Sequence, residues 1–254
     1  MTYGSRYARW TVACAGIGWS IMGSTAIPGV RTAGDGALTS SVARGTQIIV
    51  SGVRCGRRVS LDWRTADRSL SAREELTGEG GNWSRYRLAR GNLGAAFEAV
   101  RVADRIELIS RSGDGKAEQR RTFEKVRSGV LVGPSLAWYL RDNLERLRAG
   151  TTLELEFLAV DRGLMIGLRA KPVERGADGS LRVRLEASSP LMRPFVPTTT
   201  LTFDRGGRVT NLIGIVPLQA GTGRQPISLE GNVNFGVEVE DDSPETCREL
   251  QSAR

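Results

Sequence analysis

The run Leu181-Arg182-Val183-Arg184-Leu185 sets apolar and charged side chains on alternate positions, and this period of two recurs through most of the chain. Only an extended strand sends alternate side chains to opposite faces, so the pattern prescribes half-buried β-structure. It is seen in Gln47 to Val50, Val59 to Trp63, Arg85 to Leu88, Ala96 to Val102, Ile106 to Ile109 and Arg121 to Val126. It resumes in Leu153 to Phe157, Leu164 to Leu168, Leu201 to Phe203 and Val209 to Ile215. Turn signals separate the runs: Gly78-Glu79-Gly80-Gly81, Gly91-Asn92, Ser112-Gly113-Asp114-Gly115, Gly176-Ala177-Asp178-Gly179 and Asp204-Arg205-Gly206-Gly207-Arg208. Short strands at hairpin spacing predict a mostly β protein built on a curved antiparallel sheet, a half-barrel or an open barrel.

One segment departs from that period. In GPSLAWYLRDNLERLRAG, residues 133 to 150, Leu136, Leu140, Leu144 and Leu147 recur at helical spacing, with Trp138 and Tyr139 at the edge of the stripe. Pro134 suits a first turn and Gly150 a C-terminal cap. The spacing predicts one main amphipathic helix at about 134–149 with a single apolar face to bury.

Residues 1–26 read as an address. Arg6 and Arg9 precede an uncharged run from Trp10 that ends in Ser24-Thr25-Ala26, the small residues a signal peptidase reads. A signal peptide cleaved after Ala26 is the favoured reading, and an uncleaved anchor the alternative. No later apolar run reaches membrane-spanning length, so after cleavage no transmembrane segment is expected and the mature chain is placed in the periplasm or outside the cell. Residues 27–45 lack periodicity and read as a flexible leader, 46–239 as a single β-rich domain, and 240–254 as an acidic mobile tail. In an oxidising compartment Cys55 and Cys247 either form one disulfide stapling the ends of the domain or remain two thiols.

The chain carries no histidine, which removes the usual general base and the commonest metal ligand. Its three cysteines are too scattered for a thiolate cluster. Glu74 with Glu75, and Glu154 with Glu156, are the carboxylate pairs that a glycosidase would need, but exposed strand faces account for both. Gly113-Asp114-Gly115-Lys116 lacks the length and the Lys-Ser/Thr ending of a phosphate loop. The expectation is therefore a protein that is not an enzyme, with no catalytic residue, no metal site and no cofactor. The formal charge is +8, yet among 36 basic residues all but Lys116, Lys125 and Lys171 are arginine, alternating with apolar residues along the strands. That is a solvated face and not a nucleic-acid surface, so no nucleic-acid partner is expected.

What remains is apolar: either an ordinary core, or the lining of a cavity between a curved sheet and the helix. A single helix covers only part of a large sheet, so the sheet either curls on itself or leaves an apolar face for a ligand. The candidate lining is Leu136, Trp138, Tyr139, Leu140, Leu144 and Phe157. With Gly133-Pro134-Ser135 opening the helix and Leu153-Glu154-Leu155-Glu156-Phe157 following it, the pattern from about Trp83 to Pro217 resembles the half-barrels of bacterial envelope proteins, including the lipoprotein carriers. It also resembles a group of uncharacterised secreted proteobacterial β-rich proteins. The resemblance implies a concave apolar face that carries a lipid or another hydrophobic small molecule. The alternative is a structural or interaction protein of the cell envelope, with a filled core and an arginine-rich surface that meets a protein partner.

Overall fold

In a computed structural model, the described residues are 29–78, 80–113, 117–222, 225–236, 239–241 and 247. The expected signal peptide, and the tail apart from residues 240, 241 and 247, lie outside them. The first meander runs β1 (Gly29–Leu38), β2 (Gln47–Cys55), β3 (Arg58–Thr65), β4 (Ser71–Thr77), β5 (Arg85–Arg90), β6 (Ala95–Val102), β7 (Arg105–Arg111) and β8 (Gln119–Phe123). Two helices follow, α1 (Ser135–Asp142) and α2 (Leu144–Arg148). A second meander then runs β9 (Leu153–Ala159), β10 (Leu164–Arg175), β11 (Leu181–Ala187), β12 (Thr199–Phe203), β13 (Val209–Thr222) and β14 (Gln225–Phe235), with a short β15 (Val239–Asp241) at the end.

Every strand of each meander pairs antiparallel with its sequence neighbour, and the meanders join where β1 pairs with β14. The result is one curved, unclosed antiparallel sheet in the order β8-β7-β6-β5-β4-β3-β2-β1-β14-β13-β12-β11-β10-β9, with β15 on the first residues of β1. Laid flat at about 4.8 Å per strand, the two edges would stand about 60 Å apart. Instead Arg121 of edge strand β8 donates from Nη1 to the carbonyl of Gly163, in the β9–β10 turn, at 2.7 Å. The sheet thus coils until its last hairpin reaches its first edge.

Residues 29–38, expected to be part of a flexible leader, form β1, paired on one side with β2 and on the other with β14. The strand hides from a search for alternating apolar residues because it reads GVRTAGDGAL. Its glycines serve close approach: a Cβ on Gly36 would collide with the backbone of Asn232 on β14. The domain accordingly begins before residue 46, and Val239–Asp241, assigned to domain end and tail, pair with Gly29–Arg31.

The core divides in two. The first cluster fills the meander β1–β8 with Ile48, Trp63, Leu76, Trp83, Tyr86 and Leu108 among its members, and the second lies between the helices and β9–β12. Between them runs Val130-Leu131-Val132, held to β9 by Leu131 N–H to Glu156 O and Leu158 N–H to Leu131 O, both 2.9 Å. Val130 and Val132 belong to the first cluster and Leu131 to the second, so this segment is buried on both faces. Trp83 fixes it by donating from Nε1 to the Val130 carbonyl at 2.7 Å.

The hairpin β9–β10 is divided in the same way. Leu155, Phe157, Ile166 and Leu168 face the second cluster, whereas Leu158, Val160 and Met165 at its turn face the first. The tip of the last hairpin is in effect a plug in the first lobe.

Candidate functional site

The amphipathic segment expected as one helix is broken at Asn143, whose φ of −110° lies outside the helical range. Its side-chain Nδ2 donates to the carbonyl of Tyr139 at 2.9 Å, so an asparagine amide competes with the backbone for a helix acceptor. The apolar stripe survives the break. Leu140 has no exposed surface and Leu144 is 5% exposed, both within the second cluster. A side chain with no accessible surface borders no water-sized void, so Leu140 lines no cavity. Leu136, Tyr139 and Phe157 are half-buried against the same cluster, and Trp138 packs on the first cluster. The six candidates therefore do not converge on one surface: Leu140 and Leu144 are buried and the other four are half-buried.

Two features that sequence reasoning passed over are the most constrained in the molecule. Glu74, expected on an exposed face beside Glu75, is 5% exposed. It lies between Ala72 and Leu76 on the inward side of β4, and that register was the available signal. Its carboxylate accepts from Trp63 Nε1 at 2.9 Å and from the Tyr86 hydroxyl at 2.6 Å. Burial holds the Glu74 carboxyl above its ordinary range, opposed by those two donors and by the charge of Arg90. Burial together with the nearby carboxylate pushes the Tyr86 hydroxyl well up. Glu75 points to the opposite face of β4, so the pair cannot act on one substrate. Glu154 is exposed and taken by Arg169 and Ser188.

The second feature clamps the plug. Arg90, 4% exposed, donates from Nε to the Pro217 carbonyl at 2.9 Å and from Nη2 to Asp161 Oδ2 at 3.0 Å, with its guanidinium 5.5 Å from the Phe97 ring centre. Asp161, in the β9–β10 turn, also accepts from Gln219 Nε2 at 3.1 Å, and Arg162 beside it donates to Ser228 Oγ at 2.9 Å. Pro217 and Gln219 are available because β13 carries a bulge there against β14. The alternating pattern treats arginine as a solvated residue, and Arg90 is the exception because a carboxylate from another strand pair meets it. Cys55 and Cys247 are bonded, with a Cα–Cα distance of 5.7 Å, tying the end of β2 to the chain beyond β15.

Large apolar side chains are also exposed outside the two clusters. Leu191 is 83% exposed, Phe195 77% and Met192 36%, all in the β11–β12 connection Pro190-Leu191-Met192-Arg193-Pro194-Phe195-Val196-Pro197. The loop is not slack. Val196 packs on the second cluster, and the amides of Met192, Arg193, Phe195 and Val196 each bond to a carbonyl within the loop. Arg193 turns back to the Ala187 carbonyl and to Glu186 at the end of β11, and the exposed Ile213 of β13 pairs with Thr200 of β12, with Ile215 two residues further on the same face.

These elements define a class: an unclosed, barrel-like antiparallel β-sheet that coils around its own connecting segment. No protein-family model matches the chain, and no curated protein is similar to it in sequence. Among solved structures it is similar to the beta-barrel-like protein of domain of unknown function DUF1849 from Brucella abortus, at 8% identity and a TM-score of 0.52, over 86% of this chain and 99% of that one. At that identity the likeness is one of fold. It places the chain with β-rich, barrel-like proteins and indicates no enzymatic family.

Proposed function

We propose that this chain is a non-enzymatic interaction protein of the periplasm or cell exterior, with a filled core, that docks on anionic lipid surfaces through its β11–β12 loop. One observation carries the reading: the most exposed large apolar side chains, Leu191 and Phe195, share one short loop that is braced by three prolines and its own hydrogen bonds. Water disfavours such a display, and a lipid boundary removes it from water without requiring the loop to order on contact. The formal charge, +8 for the full sequence and +6 once Arg6 and Arg9 leave with a signal peptide, suits an anionic bilayer. The disulfide suits an oxidising compartment, in keeping with the N-terminal run read as an export signal.

This reading keeps the apolar ligand and envelope setting implied by the resemblance to lipoprotein carriers, and moves the contact from the concave face to the outside. Among the described residues no helix is long and apolar enough to cross a membrane, and peripheral docking needs none.

The test is co-sedimentation with vesicles of phosphatidylcholine containing phosphatidylglycerol, beside vesicles of phosphatidylcholine alone. Two buried apolar side chains contribute about 1.5–3 kcal/mol each, so Leu191→Asp with Phe195→Asp should lower partitioning at least tenfold while leaving the melting curve unchanged. Equal partitioning of wild type and variant, or no sedimentation of the wild type at low salt, overturns the proposal.

A further inference from the structure

At the other end of β11, about 20 Å from that loop by strand length, the turns 176–180 and 204–208 and helix α2 enclose a cleft of about 280 Å³. Glu145, Arg148, Arg175, Gly176, Gly179, Ser180 and Arg205 line it. Three arginines thus border one opening with one glutamate. Arg148 is fixed in place: Nη1 bonds Glu145 Oε1 at 2.7 Å, and Nη2 bonds the Arg205 carbonyl at 2.8 Å.

Two of the neighbouring acids are paired with other arginines, and the third keeps its charge beside the cleft. Glu174 pairs with Arg182 at 2.7 Å, Asp204 is engaged by Arg208, and Asp178 accepts the Ser180 amide at 3.0 Å. Arg175 and Arg205 are left without an acidic partner among the described residues, and the stem of Arg205 lies over Gly179, where a larger residue would meet it.

We propose that this cleft binds a phosphoryl group. Three arginines against Glu145 and Asp178 leave the opening net positive, and a phosphomonoester, with about −1.5 to −2 charges near neutral pH, answers that field more strongly than a carboxylate does. Planar guanidiniums also suit the bidentate geometry of phosphoryl oxygens. The group comes either from a soluble phosphate compound or from a lipid headgroup.

The experiment titrates the full chain by calorimetry with inorganic pyrophosphate, and separately measures its sedimentation with phosphatidylcholine vesicles containing phosphatidic acid. Arg175→Gln with Arg205→Gln is compared with Arg87→Gln with Arg105→Gln, which removes the same charge from exposed positions elsewhere. To keep the cleft apart from the apolar loop, the vesicle arm is run in the Leu191→Asp, Phe195→Asp background. Pyrophosphate binding weakened at least tenfold by the cleft pair but not by the control pair supports a soluble ligand. The same selectivity on phosphatidate vesicles alone supports a headgroup. No binding in either arm, or equal losses in both arginine pairs, overturns the proposal, and neither outcome bears on docking through the loop.

Discussion

Replacing Asp161 tests whether the last hairpin is clamped into the first lobe or merely rests there. Arg90 is 4% exposed and Asp161 17%, so Asp161→Ala leaves a guanidinium with most of its surface out of water and no opposite charge at 3.0 Å. It also removes the acceptor of Gln219 Nε2. An uncompensated buried charge costs about 3–5 kcal/mol, whereas an exposed pair is worth about 1 kcal/mol at most. The loss should therefore be about 3–5 kcal/mol in urea unfolding, with Asp161→Asn losing less because it keeps an acceptor. Replacing both partners, Arg90→Met with Asp161→Leu, should recover most of it, since no charge then stays buried. Native-state hydrogen exchange should show the amides of Arg162 and Gly163, bonded within the turn, losing protection in Asp161→Ala before those of β3 and β4. A cost under about 1 kcal/mol, or a double variant no better than Asp161→Ala, would refute the clamp.

Two further predictions concern the same lobe. The folded-state pKa of Glu74 is raised above its unfolded value, so its contribution to stability is fully present below the unfolded pKa and declines as pH rises through the folded one. Glu74→Gln, whose amide can bond both Trp63 and Tyr86, should gain stability relative to wild type between pH 4 and pH 8 in urea titrations; a constant or shrinking difference contradicts the buried carboxylate. Gly133 has φ +38°, and a Cβ there would run into the Tyr86 ring, which the bond to Glu74 holds in place. Gly133→Ala should cost about 1–3 kcal/mol in backbone strain plus a similar amount in overpacking, read as a lowered denaturation midpoint.

The strands that were legible in the sequence are those whose inward residues are all apolar, such as Leu181, Val183 and Leu185 on β11. Those that were not owe their place to neighbours. β4 turns Ala72, Glu74 and Leu76 inward, and its middle residue is acceptable there only because Trp63 and Tyr86 arrive from β3 and β5. Among the described side chains of β1 Leu38 is the one large apolar residue, and Gly34 and Gly36 lie where its backbone approaches β14 closely. On β14, Gly231 interrupts the inward row of Leu229, Val233 and Phe235, while Asn232 and Asn234 bond Asn211 on the outer face. The helix was visible from leucine spacing alone, but its break depends on one asparagine bond. Of the candidate lining, the leucine stripe was readable; whether it faced a ligand or a second layer depended on Val130-Leu131-Val132, a run too short to announce that both of its faces are covered.

That run decides where an apolar ligand can act. A lipid entering the second lobe must displace Leu131, Leu140 and Leu147, none of which has exposed surface. Each contributes about 1.5–3 kcal/mol by burial, so the three together oppose entry by about 5–9 kcal/mol. An acyl chain returns about 0.8 kcal/mol per methylene, so six to eleven methylenes would be spent only on restoring what the protein already has. Leu191 and Phe195 present no such debt: in water their exposed surface is unfavourable as it stands, and any apolar boundary that covers it is a net gain. The exposed apolar loop thus lies at one end of β11 and the arginine-lined cleft at the other.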